Sequence, residues 1–235
     1  MTDSTPLMNA LGQPVGPPLR DWQPPARPQR AVLAGRYCRL EPLDADRHAA
    51  ELHAANSLDR EGRMWTYLFS GPFGSADEFA AWLAAREDSL DPLYFTIVDG
   101  LTGRATGLAS YLRIDTMHGV VEVGHLAFSP LLQRTRAATE AMYLMMKHAF
   151  ELGYRRYEWK CDALNDASRR AAARLGFRFE GIFRQAVVYK GRNRDTAWYS
   201  IIDSDWPARR AAFEAWLDPD NFDAEGRQRR PLQGT

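Results

Sequence analysis

Cysteine is nearly absent from this chain: Cys38 and Cys161 are the only two in 235 residues. Their separation suits neither a disulfide framework nor the paired spacing of a structural zinc site, so two reduced thiols and no bound metal are expected. Long apolar runs are lacking too. None approaches the roughly 18 residues of a membrane-spanning helix, and the opening MTDSTPLMNALGQPVGPP has neither a basic n-region nor an apolar h-region. The expectation is a cytoplasmic protein with no membrane contact. Nor does either charge dominate. The 30 Lys+Arg offset 30 Asp+Glu, which removes any general attraction to polyphosphate or anionic lipid and argues against nucleic acid as a partner.

What is present is ordinary globular material, 45% hydrophobic and 26% charged, enough for a packed core. The length suits one α/β domain with decorated ends. Seven of the 14 prolines fall between Pro6 and Pro28, a density that forbids a regular helix or central strand. Residues 1–30 therefore read as an extended arm, with Trp22 as its anchor, ahead of a domain over 31–203 and an extension over 204–235.

Within the domain, residues 35–42 alternate as a first strand closed by Pro42, and residues 44–57 carry Ala49, Leu52, His53 and Ala55 at helical spacing. A loop rich in aromatics follows, from Trp65 to Phe73. Ser75, with Glu78 three residues on, predicts a capping box for the next helix. Strands are predicted at 94–98, 106–114 and 120–128, then a helix at 137–152 ended by Gly153. A strand at 154–161, a helix at 168–175 stopped by Gly176, and a hairpin of 183–190 with 196–202 complete the domain. This order predicts a mixed α/β fold. Beyond it, residues 206–222 predict an amphipathic helix bearing Phe213, Trp216 and Leu217, which packs on the body or on a second subunit as a homodimer.

At residues 124–141 a strand runs through a short loop into a helix. Such a junction aims backbone N–H groups and the positive end of the helix dipole at one place, which suits a pyrophosphate. Arg134 and Arg136 add charge beside it.

Two blocks here resemble the GNAT superfamily of N-acetyltransferases, in the branch that includes the ribosomal-protein alanine acetyltransferases. One is Ser129-Pro-Leu-Leu-Gln133 leading to Ala138-Thr-Glu-Ala141; the other is residues 165–181, NDASRRAAARLGFRFEG. The resemblance covers roughly residues 35–202 and implies a central, mostly antiparallel twisted sheet flanked by helices. It also implies acetyl-CoA as co-substrate and direct transfer of acetyl to a primary amine of a small molecule or protein, with no acyl-enzyme. For the cofactor it implies Gln133, Arg134, Thr135 and Arg136 in the loop, with Ala137, Ala138 and Thr139 opening the helix. Asn165 and Ser168 would lie beside the pantetheine arm, and the backbone at Leu126 and Phe128 beside the thioester carbonyl. Family members usually have glycines where Arg134 and Arg136 stand. The two guanidiniums either replace lost backbone contacts with charge-assisted ones or face a partner or solvent.

For the proton acceptor, Glu122 and His125 lie on the strand beside the acetyl group, and a bulge is needed for both to face the cleft. The alternatives are a cross-strand ion pair for Glu122 and a packed imidazole for His125. Ser168 is the implied donor to the thiolate, or else a helix N-cap; Tyr111 and Tyr189 are further donors, or strand packing. Cys161 reads as core. Trp65 and Tyr67 either line the acceptor pocket or pack in the core. A CoA-binding regulatory module without turnover and a pure interaction protein are the competing function classes.

Overall fold

The computed structural model describes residues 7–232. Its main sheet contains, in chain order, β1 (Leu33–Ala34), β2 (Cys38–Pro42), β3 (Leu93–Asp99), β4 (Ala105–Asp115), β5 (Val120–Phe128), β6 (Arg156–Asp162), β7 (Arg178–Tyr189) and β8 (Arg192–Ile202). The spatial order is β1-β2-β3-β4-β5-β6-β8-β7. Every neighbour is antiparallel except β5 and β6, which run parallel. A parallel pair needs a crossover, and α3 (Arg136–Glu151) supplies it. The mixed, mostly antiparallel sheet matches the expectation from sequence.

Alternation along the strands sends successive side chains to opposite faces. Tyr94 and Leu108 join Leu52, Phe79 and Leu83 under α1 (Ala45–Asn56) and α2 (Ala76–Ala84). Phe95, Ala109 and Val123 join Met142 and Met145 of α3 on the other face. α4 (Asp166–Arg174) and α5 (Trp206–Leu217) complete that layer. α5 stops before Pro219 and continues as a 3-10 turn, Pro219–Asn221, so the predicted 206–222 helix is shorter than its apolar pattern. Its aromatic face packs on the chain's own body, with Trp206 stacked 4.8 Å from Phe150 and Phe213 5.5 Å from Tyr143.

The helix starts follow from capping. Ser75 Oγ accepts from Glu78 N at 3.1 Å, while the Glu78 carboxylate reaches one residue further back, to Gly74 N at 2.7 Å. α4 begins two residues earlier than predicted because Asn165, not Ser168, is its cap, accepting from Ser168 N at 3.0 Å. The first long strand is shorter than its alternation suggested. Residues 36–38 instead turn their N–H groups onto the buried Glu140 carboxylate at 2.8, 2.6 and 2.8 Å. Gly35 is required there, since a Cβ would stand 2.5 Å from that carboxylate. The final hairpin is longer than expected and turns on Lys190 and Gly191, at φ 46 and 69, the left-handed pair that suits a two-residue turn.

The Pro-rich arm lies across the body. Pro25 and Pro28 are buried, Arg30 donates to Leu43 O at 3.0 Å, and Trp22 is half-buried beneath Arg155, its ring centroid 5.8 Å from the guanidinium. The arm's first described residues form a short ribbon, Leu7–Met8 with Pro14–Val15, that stays out of the main sheet. Residues 1–6 of the predicted arm and 233–235 of the predicted extension lie outside the described residues.

Candidate active site

The parallel pair is the origin of the site. β5 and β6 are in register only from Val120 with Arg156 to Val123 with Trp159, yet β5 continues to Phe128 and β6 to Asp162. Beyond the last pair the strands separate. A cavity of about 1400 Å³ occupies the opening and extends to both sides of it. One half is bounded by the start of α3, by α4 and by the C-terminal extension; the other by the 59–69 loop, β4 and the β7–β8 hairpin.

In the first half Thr135 caps α3, its Oγ1 accepting from Ala138 N at 3.1 Å. The other first-turn N–H groups lack intrahelical acceptors and sit at the positive end of the dipole. Arg134, at one of the two places where a glycine was expected, adopts φ 63 and so keeps the left-handed backbone that glycine would favour. Arg136, at the other, lays its guanidinium 4.6 Å from the Tyr37 ring centroid and 5.3 Å from that of Phe222. Leu126, Phe128, Gln133, Arg134, Thr135 and Arg136 all line the cavity, as do Ala138, Thr139, Asn165 and Ser168. Ala137 does not: it is buried in the core beneath α3. Sequence reasoning missed Arg170 and Arg174 on α4, and Trp216 and Phe222 of the C-terminal extension, on the same wall. The RR and AR pairs of α4 were visible as charge, but their direction depends on the packing of α4.

In the second half, β5 has the bulge that the Glu122 and His125 reading required. Leu108 pairs with Ala127 but Ser110 with Gly124, so one extra residue is accommodated, and His125 sits at φ 50. Both residues reach the cavity. His125 Nδ1 lies 2.9 Å from Ser110 Oγ and its ring 5.2 Å from Tyr94. Burial, with the Arg86 and Arg113 charges nearby, lowers its pKa to about 4, so the imidazole is neutral at pH 7. Glu122 makes the ion pair that was its alternative reading: Arg113 and Lys160 each hold it at 2.8 Å. Lys160 also holds Glu158 at 2.8 Å, and Glu158 binds Arg156 at 2.6 Å. The reason is register. Glu122 and Glu158 are direct partners on parallel strands, and two buried carboxylates side by side need a cation between them.

Ser168 Oγ accepts from Trp159 Nε1 at 3.0 Å and lies on the cavity wall. Tyr111 is core, its hydroxyl donating to Met145 O at 2.7 Å. Tyr189 donates to Asp162 at 2.8 Å, and burial ahead of that carboxylate raises its pKa to about 12. Cys161 is buried, and burial raises its thiol pKa. Tyr67 lines the cavity and donates to Leu164 O at 3.2 Å, whereas Trp65 packs in the core, 5.3 Å from Phe73. Lys190 at the hairpin tip fastens this loop by donating to Trp65 O at 2.7 Å.

A parallel pair thus opens beside a capped, arginine-flanked helix start into one cavity. The chain belongs to the GNAT acetyltransferase family and is an N-acetyltransferase: its residues 38–178 match the family model described as an acetyltransferase (GNAT) domain. Among solved structures it is similar to a GCN5-related N-acetyltransferase from Brucella melitensis, at 50% identity over 92% of this chain and 98% of that one, with a TM-score of 0.89. It is also similar to a protein from Chromobacterium violaceum described as a probable acetyltransferase of the GNAT family, at 42% identity over 87% and 100% of the two chains and a TM-score of 0.77. RimL, a ribosomal alpha-N-protein acetyltransferase in complex with coenzyme A, shares the fold at 19% identity over 74% and 99%, with a TM-score of 0.62. Comparison with curated proteins returned no match. Among the described residues no helix is long and apolar enough to cross a membrane.

Proposed function

We propose that this N-acetyltransferase takes acetyl-CoA along the arginine-lined half of the cavity and a primary amine, of a small molecule or a protein, in the other half. Both are held at once and the amine attacks directly. The observation that supports this most is the separation of β5 from β6 past Val123 and Trp159, which joins the two halves into one cavity. The residues fit the cofactor: first-turn N–H groups of α3 together with Arg134, Arg136, Arg170 and Arg174 offer donors and positive charge to phosphates. When bound, acetyl-CoA supplies the activated acyl group as a thioester.

The chain's own residues then have distinct tasks. Backbone at Leu126 and Phe128 borders the opening, where N–H groups polarise a carbonyl. His125, neutral at pH 7, accepts the amine proton; its pKa of about 4 suits a nitrogen that becomes strongly acidic on attack. Glu122 and Lys160 hold the strands on either side of it in register. Ser168 Oγ, oriented by Trp159, is the hydroxyl available to a departing thiolate. A cytoplasmic location and a homodimer belong to this proposal. The edge strand β7, where Phe179 and Phe183 are exposed, is the surface we assign to the dimer, and sedimentation measures it.

Thermal stabilisation by acetyl-CoA, followed by thiol release over a panel of amines, tests the reading. Binding with no turnover on any amine would favour the regulatory module; neither response would sink both. His125→Ala should lower kcat by ~100-fold or more with acetyl-CoA binding nearly unchanged. The same histidine gives a pH signature. Its folded pKa lies below the unfolded value of about 6.5, so its contribution is complete above pH 6.5 and is lost as pH falls toward 4. His125→Gln should flatten that decline, which amounts to at most ~3 kcal/mol.

A further inference from the structure

We propose that the acceptor amine also carries a carboxylate, and that Arg194 on β8 binds it; the inference rests on the acetyl-transfer reading above. It follows from how the cations lining the cavity are partnered. In the acceptor half, Arg63 pairs with Glu61, Arg113 with Glu122, and Lys160 with Glu122 and Glu158. Arg194 lines the same half and makes no ion pair among the described residues. It is only 7% exposed.

A guanidinium this deeply buried has lost most of its hydration, at a cost that folds normally recover with a carboxylate. Here Nε donates to Thr196 Oγ1 at 3.2 Å, and the charge lies 5.3 Å from the Phe69 ring centroid and 5.8 Å from that of Tyr189. The rings compensate part of the cost. Asp162, across the β6–β8 pairing from Thr196, does not supply the rest: it stands beyond ion-pair distance and accepts from the Tyr189 hydroxyl and from Leu164 N at 2.8 Å each. The Thr196 bond fixes the plane of the fork, which leaves the two Nη groups for a bidentate partner in the cavity. The cavity's other cations without ion pairs, Arg134, Arg136, Arg170 and Arg174, all stand in the half assigned to coenzyme A phosphates. Arg194 packs instead against Phe69 and Tyr189, on the acceptor side of the cavity. Its counter-ion comes with the acceptor. A neutral amine or a polyamine would leave the charge uncompensated.

The test uses matched acceptors: a free amino acid against its carboxamide, and a short peptide with an acidic first residue against its neutral amide analogue. Thiol release with acetyl-CoA should show kcat/KM ~10- to 100-fold higher for the carboxylate member of one pair, the range of a charged hydrogen-bonded contact. Which pair responds tells a free amino acid from a protein terminus. Arg194→Met should erase the difference, and Arg194→Lys should keep part of it. Melting of the protein in the presence of coenzyme A, with the same pairs added, is a readout independent of turnover, and it also verifies that the variants are folded. Equal responses of the wild type to carboxylate and carboxamide in both assays would overturn the proposal, as would an undiminished preference in folded Arg194→Met. Thiol release from neutral amines alone would overturn it while leaving acetyl transfer intact. A carboxylate-selective thermal shift without thiol release from any amine would support the Arg194 site and sink acetyl transfer.

Discussion

The two halves of the cavity handle charge in opposite ways. On the acceptor side the ions are compensated within the protein: Arg113, Glu122, Lys160, Glu158, Arg156 and Glu180 form a chain of alternating sign, with neighbouring atoms 2.5 to 2.8 Å apart. On the cofactor side Arg134, Arg136, Arg170 and Arg174 face the cavity with no ion pair among the described residues. The difference separates scaffold from recognition. A chain of alternating charges, buried at Glu122, Lys160 and Glu158, fixes the register of β5 against β6 and contributes little net field, whereas a row of unpaired guanidiniums maintains a field that only a polyanionic ligand can neutralise. Arg194 breaks the pattern of its own half, which is why it reads as recognition.

The contrast can be broken most sharply at Lys160. Its side chain is 4% exposed and lies between two carboxylates, so Lys160→Met should leave Glu122 and Glu158 side by side with no cation between them and destabilise the fold by ~3–5 kcal/mol. Denaturant unfolding measures this, and a loss below ~1 kcal/mol would show that the chain of ions is not scaffold. The opposite behaviour is expected of the cofactor row. Arg136→Ala with Arg174→Ala should leave stability within ~1 kcal/mol and weaken acetyl-CoA binding ~100-fold, with a shallower salt dependence, by calorimetric titration. A large stability loss and unchanged binding would reverse the assignment. The smallest effect belongs to Asn165, whose carboxamide caps α4: Asn165→Ala should lower stability by ~1 kcal/mol and raise the KM for acetyl-CoA only modestly. A strong loss of binding at undisturbed stability would mean that its side chain serves the cofactor directly.

How legible the site was depended on whether its signal is local. The junction ahead of α3 was readable because the strand-to-helix change lies within a few residues, and Thr135 and Ala138 came from the family resemblance; the cap at Thr135 was seen only in the structure. The bulge at His125 was inferred as a requirement, since two residues three apart on a regular strand point to opposite faces. Lys160 and Asp162 escaped notice although Arg156, Glu158, Lys160 and Asp162 alternate along β6. A strand with charge on every second residue reads as half solvent-exposed, and here that face is covered by Trp198, whose ring centroid lies 3.8 Å from Lys160 Nζ, and by the hairpin around it. Trp65 was ambiguous for a related reason. An aromatic in a loop has no periodicity to reveal its direction, and Gly71, where a Cβ would meet the Trp65 ring at 2.6 Å, shows that the loop folds back on it.

By itself the amino-acid order determined the run of strands and helices and the strand-to-helix junction ahead of α3. Each depends on hydrophobic period, caps and breakers acting over one or two turns. The separation of β5 from β6, the closure of the arginine-lined wall by Trp216 and Phe222, and the burial of Arg194 without a counter-ion among the described residues were decided by tertiary structure. They depend on which strands become neighbours and where the C-terminal extension returns, contacts between residues far apart in the chain whose charges and faces no local pattern records.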